Sequence, residues 1–208
     1  YPQADIKIYF DATVGRSTKE SLASSLLPVT SKMDKVDATE FLLNFVQSFE
    51  YKTDEQQFGH EKFFFPDEMF HYQYSDCEDR AVLFAYLVKQ LVGLNVIGLN
   101  YPGHMATAVN FEKEVNGSFV EYNGKRFTIC DPTYIGAPIG MAMPQFAQAN
   151  ATIIENATQP NLTNRANKLW KIANKYGLYQ GDNNNNIAFD SKGDAYMCGY
   201  FNGTVDFM

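Results

Sequence analysis

Three residues of this chain have the types and the order that cysteine chemistry needs. Cys77 sits in Tyr74-Ser75-Asp76-Cys77-Glu78-Asp79-Arg80-Ala81, where an extended acidic segment turns into an apolar helix. A cysteine at a helix start meets unpaired backbone N–H groups and the positive end of the helix dipole, which favour thiolate over thiol. His104 follows a Pro102-Gly103 turn and opens a strand, and Asp131 lies in Cys130-Asp131-Pro132-Thr133. A nucleophile, a base and a carboxylate that orients the base make a set for acyl transfer through sulfur. The interval of 27 residues from Cys77 to His104, repeated from His104 to Asp131, allows a helix-plus-strand excursion and a return across adjacent strands.

The same stretch holds a contrary signal. Asp76, Glu78 and Asp79 crowd the thiol with negative charge, which raises its pKa. The helix dipole, at about 0.5–1 kcal/mol, does not outweigh three carboxylates. An imidazolium in contact would, if the carboxylates point to solvent or pair with Arg80. His104 therefore carries the reading, and the small residues Ala106 and Ala108 on its face leave room for a helix N-terminus. His60 and His71 are alternatives, both in an aromatic stretch on the other side of Cys77.

The elements that must position these groups follow from periodicity. Ile6–Phe10 alternates and reads as a strand. Residues 17–27 read as a helix stopped by Pro28, and Asp37 with Glu40 reads as the capping box of the next helix. That helix carries Phe41, Leu42, Phe45, Val46 and Phe49 on one stripe. Residues 51–76 form a long aromatic loop. From Cys77 to Leu91 apolar residues cover most of the helix surface, as in a buried helix, and Gly93 ends it. Strands follow over 95–100, 104–111, 118–122 and 126–130, with hairpin signals at Asn116-Gly117 and Asn123-Gly124. Residues 163–176 read as a last amphipathic helix. Helices first and hairpin-linked strands after them give an α+β fold with N-terminal helices packed on an antiparallel sheet.

Composition narrows the partners. The chain has 208 residues, 45% of them hydrophobic and 20% charged, as in an ordinary globular domain. Its formal charge of −7 comes with no Lys/Arg cluster, which argues against nucleic acid. No apolar run has membrane-spanning length, so no membrane insertion is expected. Cys77, Cys130 and Cys198 are too widely spaced for a disulfide framework or a C-x-x-C metal pattern. Asp182–Asn186 offers oxygens but lacks the spacing of an EF-hand loop and reads as a solvated linker. No metal or cofactor is expected, and oligomeric state is left open. The chain opens at Tyr1-Pro2 without Met or signal peptide, as a processed or excised protein would.

Asp76-Cys77-Glu78-Asp79 leading into an apolar helix, His104 opening a strand and Asp131-Pro132-Thr133 ending another resemble the transglutaminase-like superfamily, in particular its bacterial cysteine-peptidase-like members. The resemblance covers about residues 37–135 and departs from the family at Ser75, often Gly, and in the long His104–Asp131 interval. It implies a papain-like core, a Cys77-His104-Asp131 triad and acyl transfer or hydrolysis on a protein or peptide substrate. A catalytically inactive binding or assembly module of the same fold is the alternative, and an adhesion domain a third. The Cys77 backbone N–H would hold the oxyanion, helped by Gln73 or Tyr74, and Tyr72 and Tyr101 are candidates for a groove wall. After a linker, residues 187–207 resemble one unit of the β-propeller repeats of secreted and cell-surface bacterial proteins. The expected division is therefore 1–180 and 181–208, in a longer protein that is secreted, periplasmic or at the cell surface.

Overall fold

The computed structural model describes residues 5–155 and two short strands, 186–189 and 195–198. The chain divides into two compact units, Tyr1–Thr163 and Asn164–Met208. The helix expected over 163–176 and the boundary expected at 180/181 lie outside the described residues.

The first unit opens with three helices, α1 (Ile6–Phe10), α2 (Arg16–Thr30) and α3 (Lys35–Gln47). The strand expected at Ile6–Phe10 is a helix instead. Asp5 caps it by accepting from the Lys7 N–H at 3.0 Å. Ile6 and Phe10, four apart, share the buried face, while Ile8 is 55% exposed. The Phe10 ring lies over Gly98, where a Cβ would come within 2.8 Å of it.

The α2 helix runs through Pro28 rather than stopping before it. Proline removes one hydrogen bond near the helix end, and the last turn is held by Thr30 Oγ1 donating to Leu26 O and Ser31 N–H donating to Leu27 O. The N-cap of α3 is Asp34, not Asp37: it accepts from Val36 and Asp37 N–H at 2.8 and 3.0 Å. The Glu40 carboxylate, expected in a capping box, instead accepts from Ile139 N–H at 2.9 Å.

The aromatic stretch folds around its own side chains. It contains β1 (Glu50–Tyr51), α4 (Asp54–Phe58), a 3-10 turn (Glu68–Phe70) and β2 (Tyr74–Ser75), with β1 and β2 paired in parallel. Helix α5 (Cys77–Leu87) follows and continues as a π turn (Val88–Val92) that ends at Gly93. Every α5 residue from Asp79 to Leu87 is buried, which matches its apolar circumference. Each large apolar side chain buried there contributes about 1.5–3 kcal/mol.

The sheet comprises β3 (Asn95–Tyr101), β4 (His104–Asn110), β5 (Phe119–Tyr122), β6 (Lys125–Cys130) and β7 (Thr152–Glu155), in the order β5-β6-β4-β3-β7 and wholly antiparallel. The β5–β6 turn uses Asn123 and Gly124, with φ of 50° and 69°, as the sequence signal required. Nothing in the sequence marked β7. One sheet face, with Met105 and Val109, joins the helical core of Leu42, Val46, Phe84 and Leu87. The other face, with Leu99, Ala106, Ala108, Phe127 and Ile153, is packed against Ala142, Phe146 and Ala151. The architecture is α+β with helices on an antiparallel sheet.

In the second unit, β8 (Asn186–Phe189) and β9 (Ala195–Cys198) pair antiparallel, Asn186 opposite Cys198.

Candidate active site

Cys77 is the first residue of α5, after Asp76 in extended conformation as N-cap. The Asp79 carboxylate reaches back to accept from the Asp76 N–H at 3.3 Å and takes the Phe64 N–H at 2.8 Å. Arg80 locks this start from below. It is fully buried, its Nε donates to Ser75 Oγ at 3.2 Å and its Nη2 to Phe49 O at 2.6 Å.

His104 begins β4 and Asp131 follows β6, and both are buried. His104 Nε2 and Asp131 Oδ2 are 2.8 Å apart. With Asp131 ionised, Nε2 carries the shared proton and Nδ1 is left as the basic nitrogen. The other carboxylate oxygen, Oδ1, accepts from Thr133 N–H at 2.9 Å and Tyr134 N–H at 3.2 Å. An Asp whose carboxylate takes three such hydrogen bonds is a fixed orienting group.

The loop after Asp131 hangs on one side chain that the sequence did not single out. Gln47, buried at the end of α3, donates to Asp131 O (3.1 Å), Tyr134 O (3.0 Å) and Ala137 O (3.0 Å), and accepts from Gly136 N–H (3.1 Å). Phe146 was missed as well. Its ring lies nearly parallel to His104, 9° between planes and 4.8 Å between centroids, and it also stacks on Tyr101 at 5.0 Å.

These contacts correct one expectation. Ala106 and Ala108 do share the His104 face, but that face is packed against the 142–151 segment. Helix α5 packs on the opposite face, against Met105 and Val109. Thus His104 and Asp131 are joined directly, and the Cys77 thiol is aimed elsewhere: it donates to Glu78 Oε2 at 2.7 Å.

The electrostatics follow the contrary signal in the sequence. Burial raises the Cys77 pKa well above that of a free thiol. Glu78 adds to this by its charge and by its hydrogen bond, Asp76 adds a further increment, and the Met105 N–H opposes them. The acidic neighbours do not all point to solvent. Asp54, Asp76 and Asp79 are buried, with carboxylate oxygens within 4.8 Å of one another. Burial first, then mutual repulsion with Glu78, lifts Asp76 above the ordinary carboxylate range. Its Oδ1 has no hydrogen-bond partner among the described residues, nor has Arg80 Nη1. Such a donor set suits a hard divalent cation and can equally hold protons.

Gln73 is exposed, 3.5 Å from Glu50 Oε2. Tyr74 pairs with Glu50 in β2, and Lys52 Nζ sits 5.0 Å above its ring. Tyr72 is stacked on Phe64 at 4.7 Å within the aromatic cluster, whereas buried Tyr101 is beside His104, 6.4 Å between ring centroids. Cys130 is fully buried, and it and Cys77 are free thiols. The alternative histidines, His60 and His71, are exposed, against Phe58 and Tyr72 respectively.

No protein-family model matches the chain. No curated protein matches it either. Among solved structures it is similar to a crystal structure described as a "Putative Cysteine Protease" from Cytophaga hutchinsonii, with 13% sequence identity and a TM-score of 0.40. The match covers 74% of this chain and 53% of the other, so the chain spans about half the length of that protein.

Proposed function

We propose that the chain carries out cysteine-dependent acyl transfer or hydrolysis on peptide or carboxamide substrates, on a papain-like core of transglutaminase-like type. One observation carries the reading: a buried imidazole is held by a carboxylate through Nε2 at 2.8 Å, at the start of the strand against which the helix that begins at Cys77 packs. In the proposed reaction the Cys77 proton passes to His104 Nδ1 as the sulfur bonds to the carbonyl carbon. The carbonyl electrons move to oxygen, where the Cys77 backbone N–H and a donor from Gln73 or Tyr74 hold them. Collapse breaks the C–N bond, and His104 returns its proton to the departing amine. Water or a second amine then attacks the thioester and restores the thiol. The substrate is a protein or peptide, and the chain works outside the cytoplasm, ahead of a propeller-like segment.

A second reading has its own observation. A thiol driven up by burial and hydrogen-bonded to Glu78 belongs equally to an inactive binding module of this fold. Acylation by p-nitrophenyl acetate separates the two. Catalysis predicts a nitrophenolate burst and a thioester on Cys77 by mass spectrometry. The burst disappears in C77S and falls at least tenfold in H104A. A Cys77 adduct forming equally fast in H104A would overturn the catalytic reading.

A further inference from the structure

The segment 141–151, which lies on the His104 face of the sheet, is held firmly at its two ends and lightly between them. At one end Gly140 is tied to neighbouring backbone: its carbonyl accepts from Ser118 N–H and its N–H donates to Ile129 O, both at 2.7 Å. Its φ is 86°, and a Cβ there would collide with Asn116 O, so this anchor is a close approach of two backbones. At the other end Thr152 opens β7, opposite Asn100 in β3.

Between these anchors the hydrogen bonds among the described residues are local. Met141 N–H donates to Pro138 O, Phe146 N–H to Met143 O and Ala149 N–H to Phe146 O, and Gln145 Nε2 donates to the Met143 sulfur. No residue of 141–151 is buried, and the segment packs on the sheet through Ala142, Phe146 and Ala151. Beneath it Leu99, Tyr101 and His104 are all buried. A cover with few apolar contacts and exposed turns belongs to the least stable part of a fold, from which lids are drawn. Its one ring, Phe146, is set on the imidazole that the proposed acyl transfer must expose to a substrate amine.

We propose that residues 141–151 form an autoinhibitory strap, closed in this structure with Phe146 seated on His104, which swings out between Gly140 and Thr152 to admit substrate to the imidazole. Opening breaks the ring stacks on His104 and Tyr101 and leaves the strands beneath paired. The inhibitory role rests on the part given to His104 above, whereas the opening itself does not involve Cys77.

Carbethoxylation of the full chain by diethyl pyrocarbonate, followed for each histidine by mass spectrometry, tests it. The exposed His60 and His71 serve as references in the same sample. His104 is expected to label about tenfold more slowly than either, at a rate that stays flat in low urea, since a local opening exposes little surface. In F146A the His104 rate rises about tenfold while those of His60 and His71 stay the same. The p-nitrophenyl acetate burst should rise in step. A His104 rate that climbs with urea along the global unfolding curve of the parent chain would overturn the strap, as would equal rates in F146A and parent. A burst present in both and unchanged would overturn its inhibitory role. Faster labelling in F146A with no burst in either chain would support the opening and sink the catalytic reading instead.

Discussion

The Cys77 thiol donates its hydrogen to the carboxylate of its own neighbour in sequence, Glu78, at 2.7 Å. A carboxylate there stabilises the protonated sulfur and repels the ionised one, so Glu78 adds to the rise that burial causes. E78Q removes the charge and keeps the size. Its thiol is expected to alkylate with iodoacetamide along a pH profile moved about one unit toward acid. An unmoved profile would show that burial alone sets the thiol.

Gln47 reaches across 84 residues to the Asp131 carbonyl and pins the loop behind it with three more hydrogen bonds. Leucine would leave buried carbonyls unpaired, at about 1–3 kcal/mol each where water does not replace the bond. Q47L is expected to lose about 3 kcal/mol in denaturant unfolding. Q47E should lose more, since its carboxylate faces three carbonyl oxygens. A Q47E chain as stable as the parent would remove Gln47 from this role.

Stability should fall as pH rises. Burial raises Asp79 to about 7 and Asp76 to about 9 in the folded chain. A carboxyl with a higher pKa folded than unfolded binds more protons in the native state, so unfolding releases them. That contribution is complete below about pH 4, the ordinary carboxylate range, and is lost as pH rises through the two folded values. D76N keeps a good N-cap and removes one titration. It is expected to gain at least about 1.4 kcal/mol at pH 8, the equivalent of one pKa unit. Thermal melts from pH 5 to pH 9 that coincide for D76N and parent would refute this.

The sequence made the chemistry legible where spacing and turn residues speak locally. The buried circumference of α5, its start at Cys77, and the Asn123-Gly124 hairpin are all local signals. His104 and Asp131 could be paired in advance because each stands at a strand end. What could not be read depends on distant partners. The Ile6–Phe10 segment alternates like a strand, yet it becomes a helix because its i, i+4 pair, Ile6 and Phe10, buries together and the Phe10 ring fits over Gly98. Glu40 looked like a capping residue, but its partner is Ile139, 99 residues away. The face that His104 shares with Ala106 and Ala108 was correct, while the occupant of that space was a loop with no periodic signal of its own.

That occupant supplies the last test. Phe146 lies flat on the His104 imidazole, and the ring whose Nε2 meets Asp131 is thereby covered on one side. Such stacking is worth about 0.5–1.5 kcal/mol beyond the area it buries. F146A is expected to lose about 1–2 kcal/mol of stability and to open the His104–Asp131 hydrogen bond to water. The shared Nε2 proton, resolved as a downfield resonance in cold buffer, should then exchange at least tenfold faster. F146L covers the ring without stacking on it and should restore slow exchange with only part of the stability. If exchange is equally slow in F146A, the loop merely packs beside the imidazole, and the protection of its hydrogen bond comes from the strands alone.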